Sequence, residues 1–325
     1  MKIIDTKDND FKELKSNYFP DKVLHPLYSN LSNNFYKEYF LNHDSKFEDI
    51  SCIIFDKKQA YCLVGMTIEF YRKNDITLGF YSLPSFYYEY IELSYSQKKQ
   101  VQRLLEKYIE DKISDLEVNK ILFLDVNLIL SPMALALLKK GCTASAKLLQ
   151  SIDLNQSMSD IKKAFRKGHK AAINWAIKNI DTRVISSNEI EWSDMEKFRN
   201  LHILASGRET RPEKTWRIQY DMIKNNQAFV VFGEQDGVLI TAALYQYSNK
   251  TCYYSTSASN RKLFDKPISH ILIWTAIEHA KFLNCKIFEV GEQVFDSENR
   301  KKESNIADFK RGFGGNILSQ TVISK

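Results

Sequence analysis

Residues 268–290 read ISHILIWTAIEHAKFLNCKIFEV, and they indicate how the fold is assembled. Asp265 and Pro267 mark the start of a helix, Asn284 lies in the turn that follows it, and KIFEV is a short buried strand. Strand-type runs precede this helix, namely AFVVF, VLITAALYQY and TCYYSTSA, between residues 228 and 258. The sequence therefore predicts a set of strands, then a helix, then a buried strand.

The first half of the chain repeats this order. CIIF and YCLVGMTIEF, between residues 52 and 70, precede a helical run at 97–113 and the apolar strand KILFLDV at 120–126. A repeated strand–helix–strand order indicates a duplicated α/β unit with mixed sheets. A length of 325 residues also exceeds one ordinary core. We therefore predict two domains, 1–150 and 151–325, the second including a connecting helix at 157–178.

The connecting helix has an apolar face and a basic remainder. Five cations fall within nine residues: Lys162, Lys163, Arg166, Lys167 and Lys170. Two interpretations stay open, a solvated face of an amphipathic helix or a face that attracts a diphosphate.

Composition limits the class of protein. There are 46 basic and 40 acidic side chains, a net charge of +6 that suits an anionic small ligand as well as nucleic acid. The five cysteines have no metal-ligand spacing, so we expect reduced thiols and no metal site. The N-terminus has no apolar signal core, and polar residues and a proline interrupt the most apolar stretch, 121–138. We expect a cytoplasmic protein without a transmembrane segment.

Familiar catalytic motifs are missing: the sequence contains no GxSxG, GxxxxGK[ST], GxGxxG or HExxH. Among the histidines, His202 has the most polar neighbourhood, in LHILASGRETRP. The segment SGRETRPEKTW, at 206–216, carries Arg208 and Arg211 ahead of Pro212. Two guanidinium groups on a stiffened loop suit phosphate or carboxylate, although a surface salt-bridge turn would also use them. Trp216 fits a core position and a stacking platform equally well.

Two further segments predict parts of a site. STSASNR, at 255–261, places small hydroxyl residues before a helix N-terminus, where free N–H groups can bind an anion, although an ordinary strand–turn–helix would also use them. Glu289 and Glu292 close a buried strand and suit a base or an amine-orienting role. The alternative for both is solvation or an ion pair with Lys310 or Arg311.

FKRGFGG, at 309–315, contains three of the eleven glycines in the chain. It predicts a tight turn with Gly312 and Gly314 at positive φ, leading into a last strand NILSQTVI at 316–323.

The second half resembles the Fem-type branch of the Gcn5-related N-acetyltransferase (GNAT) superfamily. The matching elements, from about residue 152 to 315, are IDLNQSMSDIKKAFRKGHKAAI, LHILASGRETRP, YYSTSA before a helix, FEVGE and FKRGFGG. The resemblance implies two tandem GNAT-like domains, which agrees with the duplication. The chain lacks the long charged helical hairpin that some members use for tRNA, and the glycine-rich pyrophosphate loop of ordinary acetyltransferases.

The resemblance implies an N-acyltransferase. The preferred reaction moves an acyl group from acyl-coenzyme A to a nucleotide-linked amino sugar, with a dTDP-linked 3-amino-3,6-dideoxyhexose as the closest guess, for bacterial lipopolysaccharide or capsule. The alternative is a Fem-type ligase that takes an amino acid from aminoacyl-tRNA and acts on a peptidoglycan precursor. Only that alternative requires nucleic acid. A third possibility is a binding module that kept the fold and lost the chemistry.

The resemblance also implies roles for residues. In Fem-type enzymes the lysine of FKRGFGG faces the reacting centre, and backbone N–H groups of a splayed strand, here 254–257, stabilise the oxyanion. The predicted catalytic residues are His202, Glu289, Glu292 and Lys310. The predicted substrate-binding residues are Arg208, Arg211, Trp216, Tyr254, Ser255 and Arg311. The predicted coenzyme-binding residues are Ser257, Ser259, Asn260, Arg261 and Ser269.

Overall fold

A computed structural model describes residues 1–40, 45–57, 59–72, 75–296 and 298–325 of the chain. The strands, numbered in chain order, are β1 (Lys2–Asp5), β2 (Lys46–Asp49), β3 (Cys52–Asp56), β4 (Gln59–Gly65), β5 (Thr67–Arg72), β6 (Asp75–Gly79), β7 (Ser85–Glu89), β8 (Lys120–Asp125), β9 (Thr143–Asp153), β10 (Asp181–Ile185), β11 (Ala228–Gln235), β12 (Val238–Tyr247), β13 (Thr251–Ser259), β14 (Ile287–Glu292) and β15 (Asn316–Ser324). The helices are α1 (Phe11–Tyr18), α2 (Asn30–Phe40), α3 (Tyr95–Ile113), α4 (Pro132–Lys139), α5 (Met158–Lys163), α6 (Lys167–Asn179), α7 (Trp192–Ser206), α8 (Glu213–Lys224), α9 (His270–Phe282) and α10 (Lys301–Arg311).

The chain divides into two compact units. Unit 1 contains Met1–Pro20, Phe40–Lys147 and Ser319–Lys325, and unit 2 contains Asp21–Tyr39 and Leu148–Leu318. The predicted boundary after residue 150 lies close to the passage from Lys147 to Leu148. Two short segments depart from a simple division into halves, because Asp21–Tyr39 lies in unit 2 and Ser319–Lys325 lies in unit 1.

Unit 1 contains a mixed sheet covered by helices. Its strands pair in the order β1-β3-β4-β7-β8-β15, and β2, β5 and β6 join through the pairing of β6 with β8. β7 and β8 are parallel and are connected through α3, which begins with a capping box formed by Ser94 and Gln97. Apolar side chains of α3 and α4 pack with sheet residues such as Ile54 and Phe123 in one core.

Unit 2 has the same arrangement. Its strands pair in the order β9-β14-β13-β12-β11-β10, and only β13 and β14 are parallel. α9 connects these two strands, as α3 connects β7 and β8. One core contains apolar residues of α6 and α9, and a separate core contains those of α2, α7 and α8. The duplicated α/β architecture with mixed sheets predicted from the sequence is therefore present.

The connecting helix is the main correction to the predicted elements. The structure divides residues 157–178 between α5, which starts after the cap at Ser157, and α6, and Arg166 has extended backbone with φ −53 and ψ 146. The N–H of Arg166 donates to the carbonyl of Gly312, and a Cβ on Gly314 would come within 2.7 Å of the Ala164 carbonyl oxygen. The glycine turn packs against the break, a tertiary contact that the apolar periodicity of the segment does not contain.

Candidate active site

The strands β13 and β14 separate in the middle of the sheet of unit 2. They pair only from Thr251 with Ile287 to Tyr253 with Glu289, although β13 continues to Ser259 and β14 to Glu292. The pairing of β13 with β12 also shifts register here, which leaves Ser255 as an extra residue between Tyr254 and Thr256. Beyond Tyr253 the two strands no longer satisfy each other's backbone groups, so a ligand can enter the gap.

Glu289 stands at the last paired position before this gap. Its Oε2 lies 2.9 Å from His25 Nε2, and its side chain is only 12% exposed. Tyr28 and Tyr253 place their rings edge-on to the His25 ring, at 6.0 and 5.9 Å between centroids. Burial and the charges of Glu289 and Glu292 raise the pKa of Tyr253 to about 12, so this phenol stays neutral. Glu289 thus pairs with His25, and the alternative of an ion pair with Lys310 or Arg311 is not found among the described residues.

Glu292 is more exposed, with 46% of its side chain accessible, and it faces Arg300 at 3.9 Å. Its charge also acts on Lys310, the lysine of the FKRGFGG turn. Burial lowers the pKa of Lys310, and the Glu292 carboxylate opposes this shift. Glu292 therefore lies near the gap as an auxiliary charge, while Glu289 is the enclosed carboxylate.

Lys310 reaches the same gap from α10. Its ammonium lies 5.9 Å from the centre of the Tyr254 ring and fills the space that a Cβ on Gly291 would occupy. Gly291 has φ +125, a conformation that side-chain-bearing residues rarely adopt. No hydrogen bond or ion pair joins Lys310 Nζ to another described residue. The glycine in β14 thus makes room for a cation beside the separating strands.

The FKRGFGG turn is rigidly held. Gln150 Nε2 donates to the carbonyls of Lys310 and Gly314, and Arg311 donates to Gln293 and Asp308. Gly314 and Gly315 have positive φ, at +67 and +80, but Gly312 is helical with φ −59, so the predicted positive φ at Gly312 is wrong. A glycine is instead needed at position 312 for steric reasons, because a Cβ there would overlap the His169 ring.

Arg211 is a buried cation on the α7–α8 side of unit 2. It is 8% exposed, and its guanidinium lies 3.8 Å from the centre of the Trp216 ring. One terminal nitrogen donates to Gln219 Oε1 at 2.9 Å, and Gln219 in turn donates to Thr256 of β13. Arg211 Nε has no hydrogen-bond partner, and no described carboxylate pairs with this arginine. Burial lowers the pKa of Arg211 to about 10, still far above neutrality, so it remains a cation.

Aromatic residues of α2 surround Arg211. The Phe35 ring centre is 5.5 Å from the guanidinium, and the hydroxyls of Tyr36 and Tyr39 act electrostatically on it. His202 belongs to the same group, since its ring packs 5.4 Å from Trp216. Burial, and then the Arg211 charge, lower the pKa of His202 to about 4, so His202 is neutral at physiological pH. No contact joins His202 to Glu289 among the described residues.

The predicted coenzyme-binding residues lie at the end of β13 and the start of α9. Ser259 Oγ hydrogen-bonds to Thr241 and to Ser269, at 2.7 and 2.8 Å, and Ser257 accepts from Tyr254. Asn260 caps the short helix Arg261–Leu263, in which Arg261 is exposed. Ser269 occupies the cap position of α9 without bonding to its first N–H groups. The N–H of His270, the first residue of α9, donates instead to the Pro267 carbonyl at 3.4 Å.

The predicted residues thus fall into three groups within unit 2. The first group lies on β13, β14 and α10 around the gap and contains Glu289, Glu292, Lys310, Tyr254 and Ser255. The second is the buried cation site, with Arg211, Trp216 and His202, and the third is the serine group at α9. Arg208 is exposed, and Arg311 is engaged within the turn.

Sequence reasoning missed the contributions of residues 21–39. His25 and Tyr28 come from this segment and pack with Tyr253, and Tyr36 acts electrostatically on Arg211. Ser32 also donates to Gln246 of β12, which donates to Ser255. No spacing in the sequence relates LHPLYSN, at 24–30, to a strand 260 residues later, so no local signal was available.

Known proteins show a similarity of fold. No protein-family model matches the sequence, and no curated protein matches it significantly. The chain resembles the solved structure of FemX, with a TM-score of 0.75 and 11% identity over 99% of this chain and 97% of FemX. It also resembles L-PGS from Bacillus licheniformis, with a TM-score of 0.58 and 11% identity over 99% and 93% of the two chains. A tandem GNAT protein from the clavulanic acid biosynthesis pathway is also similar, with a TM-score of 0.54 and 9% identity over 100% of this chain and 98% of that protein.

These similarities show that the chain has a Fem-like fold with two tandem GNAT-like domains, which confirms the fold predicted from the sequence. None of the helices in the described ranges has the length and apolar character needed to cross a lipid bilayer. Within those ranges there is also no cluster of three or more His, Cys, Asp or Glu side chains suited to a metal ion.

Proposed function

We propose that this protein is an N-acyltransferase that acylates the amino group of an anionic acceptor. The observation that carries the proposal is the gap between β13 and β14, flanked by an enclosed carboxylate, Glu289, and by the cation of Lys310. Amide formation from an activated acyl group needs a neutral amine, alignment, and stabilisation of the oxyanion. The gap offers a group suited to each need.

The residues have the following roles in this proposal. The Glu289 carboxylate takes a proton from the acceptor ammonium, and the resulting amine attacks the acyl carbonyl carbon. Unpaired backbone N–H groups of β13 beyond Tyr253 stabilise the oxyanion. A second proton leaves the nitrogen as the C–N bond forms and the bond from carbon to the leaving group breaks. This proton neutralises the leaving group, so one proton passes to solvent overall. The Lys310 cation stabilises negative charge that develops on the leaving group.

The acceptor binds through its anionic part at Arg211. A buried guanidinium without a carboxylate partner among the described residues recovers favourable electrostatic energy when a phosphate arrives. In its finer form, the proposal has a nucleotide-linked amino sugar as acceptor, specifically a dTDP-linked 3-amino-3,6-dideoxyhexose. Its product would enter a bacterial surface polysaccharide, and the reaction would take place in the cytoplasm.

Acyl-coenzyme A is the proposed donor. Its pyrophosphate fits the start of α9, where the Ser269 side chain makes no cap and Ser259 Oγ hydrogen-bonds to Ser269. Ser257, Asn260 and Arg261 precede α9 in the chain and are the other proposed contacts. In this arrangement the donor approaches from α9 and the acceptor from α7 and α8, and they meet at the gap.

The alternative function is a ligase that uses aminoacyl-tRNA and a peptidoglycan precursor. The similarity to FemX over nearly the whole chain favours it. Exposed cations on α5 and α6, such as Lys163 and Lys167, would suit an RNA backbone. Both functions place the chemistry at the same gap.

A donor-by-acceptor experiment separates these functions. The protein is mixed with acyl-coenzyme A or aminoacyl-tRNA, each with a dTDP-linked amino sugar or a UDP-linked peptidoglycan precursor, and products are identified by mass spectrometry. N-acylated nucleotide sugar supports the first function, and ribonuclease-sensitive aminoacyl transfer supports the second. No product in any combination, together with a ligand-induced thermal shift, would indicate a binding module and contradict the proposal.

A further inference from the structure

Both ring nitrogens of His25 are engaged. Nδ1 accepts from the backbone N–H of Leu27 at 3.3 Å, which caps the short helix Pro26–Tyr28. A backbone N–H can only donate, so Nδ1 must keep its lone pair, and the neutral ring carries its proton on Nε2. That proton points to Glu289 Oε2, 2.9 Å away. The contact with Leu27 therefore fixes the tautomer in which His25 donates to Glu289.

This tautomer excludes His25 itself as the proton acceptor while both contacts persist. Glu289 is different, because only Oε2 is engaged and Oε1 has no hydrogen-bond partner among the described residues. The backbone of His25 is extended, as expected before Pro26, and the flanking rings of Tyr28 and Tyr253 restrict rotation of the imidazole. The carboxylate is thus held by one oxygen and presents the other.

We infer that His25 is a positioning residue, which orients Glu289 so that Oε1 accepts the proton of the acceptor ammonium. This inference rests on the proposed function, since it assigns a role within the same site. The proton moves from the ammonium nitrogen to Glu289 Oε1 and later to solvent, while the Nε2–H bond of His25 stays intact throughout. A segment near the N-terminus of the chain therefore completes the site of unit 2.

Two substitutions separate the positioning role from a structural one. In His25→Gln the side-chain amide places a donor near the position of Nε2, so the contact with Glu289 is kept and the cap on Leu27 is lost. In His25→Asn the side-chain oxygen keeps the cap near Nδ1 and the donor to Glu289 is lost. The two variants thus remove one contact each.

Steady-state kinetics use acyl-coenzyme A or aminoacyl-tRNA, whichever the wild-type protein turns over. We expect His25→Asn to lower kcat by about 100-fold with little change in KM for the acceptor, because the base is misplaced while binding is kept. His25→Gln should retain kcat within about threefold of wild type, since the donor is present. If His25→Asn is as active as wild type, or if His25→Gln loses as much as His25→Asn, the inference is wrong.

A second measurement does not depend on turnover. In protein with ¹⁵N-labelled histidine, long-range NMR spectra report which ring nitrogen carries the proton, and His25→Gln assigns the signal by its loss. We expect a proton on Nε2 of His25 and a shift of that resonance in Glu289→Gln. A proton on Nδ1, or no response to Glu289→Gln, would overturn the inference even for an active acyltransferase. A protein inactive with both donors would contradict the proposed function, while these spectra still decide whether the contact exists.

Discussion

Arg211 is costly to bury in the protein without its ligand. A guanidinium loses hydration on burial, and here no carboxylate among the described residues repays that loss. The stack on Trp216 and the hydrogen bond to Gln219 offset part of the cost. Natural sequences keep such unfavourable groups mainly at functional sites. The energetics of this one residue therefore support a bound anion.

Replacement of Arg211 by methionine tests this reasoning. We expect Arg211→Met to change the free energy of unfolding by no more than about 1 kcal/mol, because the loss of the Gln219 contact is balanced by the removal of a buried charge. Binding of dTDP, measured by isothermal titration calorimetry, should weaken at least about tenfold, the equivalent of ~1.4 kcal/mol.

The matched control is Arg208→Met, which removes an exposed arginine from the same segment. It should leave dTDP binding within about twofold of wild type, since exposed charges contribute little. Equal loss of dTDP affinity in the two variants would show that binding depends on the overall positive charge of the segment, and that Arg211 is not the specific site.

Lys310 is the second residue whose role can be separated from folding. Its ammonium makes no hydrogen bond or ion pair with the described residues, so Lys310→Ala should lower stability by less than about 1 kcal/mol. Loss of the cation beside the gap should lower kcat by about 100-fold or more. Turnover and urea denaturation measure the two effects. Lys178→Ala, at an exposed position on α6, is the control, and full activity of Lys310→Ala would show that the turn has only a structural role.

At the scale of elements, the glycine turn fixes the positions of α5, α6 and α10. Gly312 approaches His169 of α6, Gly314 approaches Ala164 at the end of α5, and Gly315 approaches Ser151 of β9. Arg166 and Asp308 form a bidentate ion pair beside this turn, at 2.9 and 3.0 Å. The turn thus holds the end of α10, and with it Lys310, against the sheet.

Substitution of single glycines distinguishes conformational strain from crowding. We expect Gly315→Ala to destabilise unit 2 by more than ~2 kcal/mol, because φ is +80 and a Cβ would overlap the backbone of Ser151. Gly312→Ala should cost about 1–2 kcal/mol from crowding alone, since its φ of −59 suits alanine. Urea denaturation measures both variants.

Two further variants control this experiment. Gly168 lies in α6, and a Cβ there would have no atom within 4 Å. The stability of Gly168→Ala should therefore be unchanged or raised by up to ~1 kcal/mol. His169→Ala should recover part of the loss in Gly312→Ala, because it removes the ring that the new Cβ meets. If Gly315→Ala is as stable as Gly168→Ala, the close approach of Gly315 to the backbone of Ser151 is contradicted.

The elements that follow from local pattern were predictable, and those set by tertiary contact were not. Apolar runs and helix signals located α3, α9, β8 and β14, and the repeated order predicted the duplicated fold. The break between α5 and α6 depends on Gly314 and so has no local signal. The residue type alone was enough to name Arg211, Glu289 and Lys310 as candidate site residues. The hydrogen bond from His25 to Glu289 was not predictable, because it requires residues 21–39 to pack in unit 2.

At the scale of the whole molecule, the two units differ in their titratable groups. Five of the six histidines fall in unit 2, and the sixth, His43, lies outside the described residues. Burial lowers the pKa of His202 and of His270 to about 4, and it also lowers the pKa of His169 and His279. Burial raises the pKa of one carboxyl in each unit, Glu69 in unit 1 and Glu278 in unit 2, so the histidines make the difference between the units. The two units should therefore respond differently to acid.

Acid should destabilise unit 2 before unit 1. A histidine with a lowered folded pKa binds protons more readily in the unfolded chain, so stability falls as pH drops from about 6.5 toward 4, by at most ~1.4 kcal/mol per pH unit for each histidine. Protonation of Glu69 has the reverse sign and protects unit 1 as pH falls. Hydrogen exchange read by mass spectrometry should show faster exchange in peptides from residues 148–318, while those from 45–147 keep their protection. His202→Phe should reduce the pH dependence because one titrating group is removed, and equal loss of protection in both units would contradict the assignment.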